Sequence, residues 1–302
     1  MDVLSVFGAV VLSAGIAFSS QTMPASNPSN DELGRLRAAV AAVPNDPDSH
    51  FRLGDALERS GDLSAAESEY KKSLALQEKN PSALGALAYL YSTQKRLPDA
   101  EAALRSFIAI QPQDPKAHVQ LGNVLLSSGK KDEAAKELAV ALGLAPSNPG
   151  ILTQIAQFYS SNGMYGQAEP LFARLTQADS SNAEAHYGYG LVLMQQRKFE
   201  SALEQFRRSV ILKRDLKEAY GDLAVAASEV QDYPQAITAL NIRAQYLPET
   251  PGTYFLRASC YDHLKDFPAA ADNYKKFLAA DAGKSPNQDW QAKHRLVAIE
   301  KK

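Results

Sequence analysis

Cysteine is nearly absent from this chain: Cys260 is the only one in 302 residues, and Trp290 is the only tryptophan. A lone cysteine forms neither an internal disulfide nor a cysteine metal cluster. Charge of one sign is missing too, because 32 Lys and Arg meet 34 Asp and Glu, a net of −2 with no Lys/Arg run. Without a basic patch there is little electrostatic drive toward a phosphate backbone, so nucleic acid is excluded as a partner. Motifs for chemistry are also lacking. There is no Gly-rich phosphate loop, no serine elbow and no pair of histidines at helical spacing. Asp55 and Glu58 share a helical face at i, i+3, a spacing common on solvated helices and insufficient for catalysis without an enclosing pocket. The sequence therefore predicts a protein that is not an enzyme, with no cofactor and no metal.

Long apolar runs occur once, from Val3 to Phe18, ahead of a Ser/Asn/Pro-rich stretch from Ser19 to Asn30. Sixteen helical residues at ~1.5 Å each span about 24 Å, short of the roughly 30 Å hydrocarbon core. Residues 1–19 are thus expected to be a signal peptide and 20–30 a flexible spacer, with small residues at Ala17-Phe18-Ser19 for cleavage. Asp2 and the lack of Lys or Arg before the run favour the alternative, an uncleaved membrane anchor. The expectation is export to the periplasm or the exterior, with a membrane tether as the other outcome.

What is present is a period. Pro47, Pro81, Pro115, Pro149 and Pro251 lie on a 34-residue grid whose remaining nodes are Ala183 and Lys217. Counting each node as position 1, position 8 is Gly54, Ala88, Gly122, Ala156, Gly190, Ala224 and Ala258. Position 20 is Ala66, Ala100, Ala134, Ala168, Ala202, Ala236 and Ala270. Small residues at both phases of all seven repeats mark a repeat array. In this pattern the chain resembles the tetratricopeptide-repeat (TPR) family from Pro47 to Lys284. The third repeat carries the signature at Leu121-Gly122, Leu125, Gly129, Ala134, Leu138, Ala141 and Pro146. The resemblance implies an all-α fold: a right-handed α-solenoid of seven helix-turn-helix repeats (47–80, 81–114, 115–148, 149–182, 183–216, 217–250, 251–284). A capping half-repeat at 31–46 and a capping helix at 285–302 would close its ends.

Local chemistry points the same way. Asp46, Asn80, Asp114 and Asn148 precede the node prolines as N-caps, and a proline at the first helical position loses no needed N–H. Apolar residues at positions 4, 7, 8 and 11, such as Leu84, Leu87, Ala88 and Tyr91, form one helical stripe. Gly61, Gly129 and Gly163 end that helix at position 15, and a second helix is expected near position 18. Position 4 alternates His50, Leu84, His118, Leu152, His186. Histidines two repeats apart stand at least ~20 Å apart, far beyond ligand bonds of about 2.1 Å, so they are expected to be packing residues. In the N-terminal cap the buried stripe is expected at Leu33, Leu36, Ala39 and Val40. In the C-terminal cap, Trp290, Val297 and Ile299 are expected to pack while Lys293, Arg295, Lys301 and Lys302 face water.

By the family resemblance, first helices line a concave groove and present positions 2, 5, 9 and 12 to a ligand. The candidate ligand-binding residues are Phe51, Asp55, Tyr89, Val119, Asn123, Gln157, Tyr187, Leu191, Met194 and Phe255, with Tyr187, Leu191 and Met194 as the hot spot. Aromatic, apolar and amide groups of this kind suit an extended or helical peptide. Family members that grip a C-terminal carboxylate place Lys at position 5 and Asn at position 9, whereas Asn123 here stands with Val119, so that clamp is missing. Asp55, Glu58 and Asp262 give a weak preference for neutral or basic segments. The expected function is a non-catalytic scaffold or adaptor for a protein or peptide in the envelope or outside the cell. The alternative is an accessory repeat subunit that presents substrates to a separate modifying enzyme such as a glycosyltransferase.

Overall fold

A computed structural model describes residues 28–300. The apolar run, its cleavage site and the spacer up to residue 27, together with Lys301 and Lys302, lie outside the described residues. Among the described residues there are sixteen helices and no strand. A single helix, α1 (Asn30–Ala42), comes first. Seven hairpins follow: α2 (Pro47–Arg59) with α3 (Leu63–Leu76), α4 (Pro81–Thr93) with α5 (Leu97–Ile110), α6 (Pro115–Ser127) with α7 (Lys131–Leu144), and α8 (Pro149–Ser161) with α9 (Tyr165–Ala178). Then come α10 (Ala183–Gln195) with α11 (Phe199–Leu212), α12 (Lys217–Glu229) with α13 (Tyr233–Arg243), and α14 (Pro251–His263) with α15 (Phe267–Asp281). The last helix is α16 (Pro286–Ile299). The described residues form two compact units, 28–155 and 156–300.

Each first helix begins on a node of the grid, for the reason the caps suggest. Carboxyl or amide oxygens of Asp46, Asn80, Asp114 and Asn148 accept from backbone N–H groups of the first turn, at 3.0 Å for Ser49 and 3.2 Å for Ile151. Second helices start at position 17, one residue before the expected start, so Pro98, Pro234 and Pro268 fall at the second helical residue. The turn between the two helices reverses through a left-handed residue at position 15. Gly61, Gly129 and Gly163 adopt it at φ of 87°, 79° and 73°, and Lys95, Arg197, Gln231 and Lys265 adopt it at 59° to 64°.

Packing within a hairpin rests on the small residues. All seven position-20 alanines are fully buried. At position 8 a methyl on Gly190 would sit 2.5 Å from the Phe206 ring, and one on Gly54 would sit 2.7 Å from the Tyr70 ring, so these glycines make room for large partners on the second helix. Within each unit second helices lie between the first helix of their own repeat and that of the next, as α3 does with α2 and α4, and α11 with α10 and α12.

The position-4 histidines are buried and do more than fill space. Nδ1 of His50 and His118 lies 2.6 and 2.7 Å from the carboxylates of Glu69 and Glu137, and Nδ1 of His186 lies 2.7 Å from the Gln205 amide oxygen. Nε2 of each lies 3.0 to 3.2 Å from a backbone carbonyl six residues earlier. Each imidazole thus ties both helices of its repeat to the preceding loop. Inter-repeat ion pairs join position 21 to position 16 of the next repeat: Glu67 to Arg96 at 2.6 Å, Glu101 to Lys130 at 2.9 Å, and Glu169 to Lys198 at 2.8 Å.

Both ends depart from expectation. In α1 only Leu33 is buried and Ala39 is exposed; among the described residues the helix packed against α1 is α2. In α16 the packing residues are Ala292, Leu296 and Ile299, set against Ala270, Tyr274 and Phe277. Trp290 and Val297 are 60 % and 53 % exposed, and Arg295 is engaged by Asp262 rather than facing water alone. The i, i+4, i+7 spacing of Ala292, Leu296 and Ile299 claims the inner stripe and turns Trp290 outward.

Candidate functional site

The face to consider is the row of first helices, which touch one another directly: α2 with α4 in the first unit, α10 with α12 and α12 with α14 in the second. Side chains on the opposite stripe are consumed by their own second helices. What remains outward on the first helices is available to another molecule.

The structure sorts the candidate residues into three groups. Tyr89 at 42 % exposure, Gln157 and Asp55 stand in solvent, although Asp55 is held by Arg59 at 3.1 Å. Phe51, Asn123, Tyr187, Leu191 and Phe255 are half-buried. Phe51 rests on the Tyr70 ring with centroids 5.7 Å apart, and Phe255 meets Phe277 edge-on at 5.0 Å. Their rings are therefore fixed in place and offer one surface each. Val119 and Met194 are corrections: at 1 % and 6 % exposure they present no surface, and Met194 packs among Leu193, Leu203 and Val210.

Tyr187 is also less free than its position suggests. Its hydroxyl donates to Asp222 Oδ2 at 2.8 Å, and its ring packs on Phe206 at 5.9 Å. Burial pushes the Asp222 carboxyl up to about 6, against the Tyr187 hydrogen bond and the Arg243 guanidinium, which pull it down. Burial likewise raises the Tyr187 phenol, with the Asp222 charge adding to it. The hot spot thereby contracts from Tyr187, Leu191 and Met194 to Leu191 and the ring of Tyr187.

Groove acidity contracts as well. Arg295 donates to both oxygens of Asp262 at 2.6 Å, and Glu58 accepts from the Tyr70 hydroxyl at 2.7 Å. Burial raises the Glu58 carboxyl, the Tyr70 bond opposing. Asp55 and Asp262 are ion-paired within the chain, while Glu58 is bonded only to a neutral hydroxyl, so the expected preference for basic segments is left with Glu58 as its source. Cys260 is buried beside Ser228, and burial pushes its thiol up to about 11, which leaves little thiolate near neutrality.

Helical hairpins at a constant period, joined first helix to first helix with an open aromatic and amide row, define a helical-repeat scaffold suited to holding another polypeptide. The tetratricopeptide-repeat pattern matches residues 33–83, 86–149, 154–216 and 222–285, and the chain belongs to that family. In the solved structures it is similar to the C-terminal part of a TPR repeat-containing protein from Cytophaga hutchinsonii, with a TM-score of 0.65 at 17% identity over 79% of this chain and 98% of that one. Over 65 residues, 22% of the chain, it is 46% identical to cellulose synthase operon protein C of Xanthomonas axonopodis pv. citri. Over 127 residues, 42% of the chain, it is 24% identical to the protein O-mannosyl-transferase Tmtc3 of Drosophila melanogaster. The matched stretches span 4% and 13% of those two relatives.

Proposed function

We propose that the chain is a non-catalytic adaptor that holds an extended or helical segment of a partner protein along the first helices of either of its two units. The observation that carries this is the outward row within each unit. Tyr89 and Asn123 in one unit, and Gln157 and Leu191 in the other, keep ligand-accessible surface, while Phe51 and Phe255 of the same rows are immobilised by ring contacts beneath. Rigid aromatic anchors beside amide groups are the composition that binding hot spots favour. With Asp55 and Asp262 ion-paired within the chain, the ligand is held chiefly by apolar contact and backbone hydrogen bonding.

Truncating Tyr187 would strand the buried Asp222 carboxylate, so the test uses residues whose loss leaves the core intact. Tyr89→Glu with Gln157→Glu, both at exposed positions, is expected to lower recovery of the native partner about tenfold or more in affinity capture quantified by mass spectrometry. The helical circular-dichroism signal and melting curve should be unchanged. Undiminished recovery would place the binding face elsewhere.

A second reading has its own support. The stretch similar to the mannosyl-transferase favours an accessory role, in which this chain presents substrates to a separate modifying enzyme. A glycosyltransferase chain among the captured proteins distinguishes it. We further infer export on the strength of the Val3 to Phe18 run; the N-terminus of the mature protein, read by peptide sequencing, tests it. No helix among the described residues is long and apolar enough to cross a membrane.

A further inference from the structure

Two second helices of the unit after Ala156, α11 and α13, leave a cleft of about 290 Å³ between them, with Tyr220 of α12 in its lining. None of its lining residues holds an outward position of a first helix. Arg207, Ile211 and Arg214 on one side stand 28 residues before Gln235, Ala239 and Ile242 on the other, and Arg207 Nη2 donates to Gln235 Oε1 at 2.5 Å. Two of these residues break the pattern of the array. Position 29, Ile211 here, is Ala75, Ala109, Gly143, Gln177, Gln245 and Ala279 in the other six repeats. Position 32, Arg214 here, carries no cation in any of them. Ile211 is 69 % exposed, so at a position that is otherwise small or polar the cleft keeps apolar surface in contact with water.

Its polar groups are unfinished in one direction. Between the second and third repeats, position 25 is Arg105 and position 19 of the next repeat is Glu133, and the two pair at 2.9 Å. Here the same positions are Arg207 and Gln235, so a neutral amide stands where the other joint has a carboxylate. Glu204 is shared between Arg207 at 3.7 Å and Arg208 at 2.9 Å, one negative charge for two positive ones. Arg214 makes no ion pair among the described residues, the adjacent Asp215 included, and Lys213 before it is taken by Glu184 at 2.6 Å. Outside the described residues the one acidic side chain is Asp2. Tyr220 is 6 % exposed, yet its hydroxyl has no hydrogen-bond partner among the described residues, where a buried phenol ordinarily finds one. Burial raises that phenol, with Tyr246 adding and the Arg214 guanidinium opposing, so the guanidinium is within electrostatic reach of the hydroxyl. The cleft thus holds an apolar lining, an unused O–H donor and two guanidiniums short of carboxylate.

We propose that this cleft is a second binding site, which takes an acidic segment of a partner protein with an aliphatic anchor between two carboxylates. The anchor lies against Ile211, Ala239 and Ile242, one carboxylate accepts from the Tyr220 hydroxyl and from Arg214, and the other meets Arg207. Guanidinium groups hold carboxylates through paired, charge-assisted hydrogen bonds, which are stronger than neutral ones. Two cations call for two carboxylates, and a peptide supplies both where a single fatty acid supplies one. The site goes beyond the adaptor reading, whose row lies on the first helices, and each can fail without the other.

The probe is a dye-labelled, capped peptide of repeated Asp-Leu-Glu units, added to the full chain and followed by dye anisotropy. A saturable rise is expected, lost with Asn-Leu-Gln repeats, which lack the charge, and about tenfold weaker with Asp-Ser-Glu repeats, which lack the anchor. Ile211→Gln and Arg214→Ser each introduce what another repeat carries at that position, as Gln177 and Ser180 do. Each should weaken binding about tenfold while helicity and melting stay unchanged. Tyr220→Phe removes the hydroxyl alone and should weaken binding about tenfold as well. No saturable rise overturns the proposal. So does a rise that the three variants leave unchanged, or Asp-Ser-Glu binding as tightly as Asp-Leu-Glu, which is attraction to charge without a site. A rise that Tyr89→Glu with Gln157→Glu abolishes, and the cleft variants do not, places the peptide on the first helices; it overturns the cleft and leaves the adaptor reading standing. Octanoate that raises the melting temperature of the natural chain but not of Arg214→Ser, with no peptide binding, assigns the cleft to a small amphiphile and overturns the proposal too.

Discussion

At position 21 the fifth and sixth repeats part company with the earlier ones. The first, second and fourth repeats carry Glu67, Glu101 and Glu169 there, each reaching a cation of the next repeat, Arg96, Lys130 or Lys198. In the unit after Ala156, the fifth and sixth repeats carry Leu203 and Ile237, part of one apolar cluster with Phe206, Leu223 and Leu240. The same division appears at position 4, where His50 and His118 meet carboxylates but His186 meets an amide. Small residues at positions 8 and 20 hold the backbone period in both units. The joints between repeats are consequently free to be ionic or apolar, and the two choices differ in size, salt response and pH response.

The largest effect expected of this difference is a truncation. Phe206 is fully buried, so Phe206→Ala should destabilise the unit after Ala156 by about 3–5 kcal/mol. Glu67→Gln opens a partly solvated ion pair and should cost the other unit no more than about 1 kcal/mol, less at high salt. Amide hydrogen exchange resolved by segment checks both. Equal losses in the two units would erase the distinction.

Acid should move the units in opposite directions. Arg96, then Lys71, hold the Glu67 carboxyl down at about 2, so the folded state binds fewer protons than the unfolded chain. That stability is present at neutral pH and is lost as pH falls from about 4.5 toward 2. Asp222 is the reverse, since burial lifts it to about 6 and the folded state binds more protons. Its cost is full above about pH 6 and is relieved on acidification toward about pH 4, a gain of roughly 2–3 kcal/mol at most. Exchange protection of α10 and α12 should therefore rise between about pH 7 and 5 while α3 and α4 stay level. Asp222→Asn should flatten that rise; if it persists in the variant, another group is responsible.

How much of this was legible follows from distance along the chain. The 34-residue period, the caps and the small residues are local or strictly repeated signals, and the helices obey them. Tyr187 with Asp222 and Asp262 with Arg295 are partners 35 and 33 residues apart, off the period by one, with no local mark on either member. Val119 and Met194 were misplaced because a family-wide position number says which way a residue points on an ideal helix, whereas burial depends on neighbours particular to this chain. The histidine ties were readable in retrospect, since an oxygen-bearing side chain stands 19 residues after each. Trp290 was expected to pack because the last helix was read as a solvating cap and its largest apolar side chain was given the inner stripe, which Ala292, Leu296 and Ile299 take instead.

The turn at position 15 shows the same limit at single-residue scale and gives the smallest effect. Three glycines announce a left-handed residue there, and nothing in Lys95, Arg197, Gln231 or Lys265 does, yet all four take φ between 59° and 64°. A side chain in that region costs roughly 1–2 kcal/mol, and glycine avoids it at the expense of a more disordered unfolded chain. The net gain for Lys95→Gly in one unit and Gln231→Gly in the other should be about 0.5–1 kcal/mol each. Because the strain is in the backbone and not in a joint, the two gains should match, and they should be insensitive to salt and pH. Denaturant melts of the single and double variants measure this. A gain in only one unit would mean that its side chain contributes contacts which offset the strain.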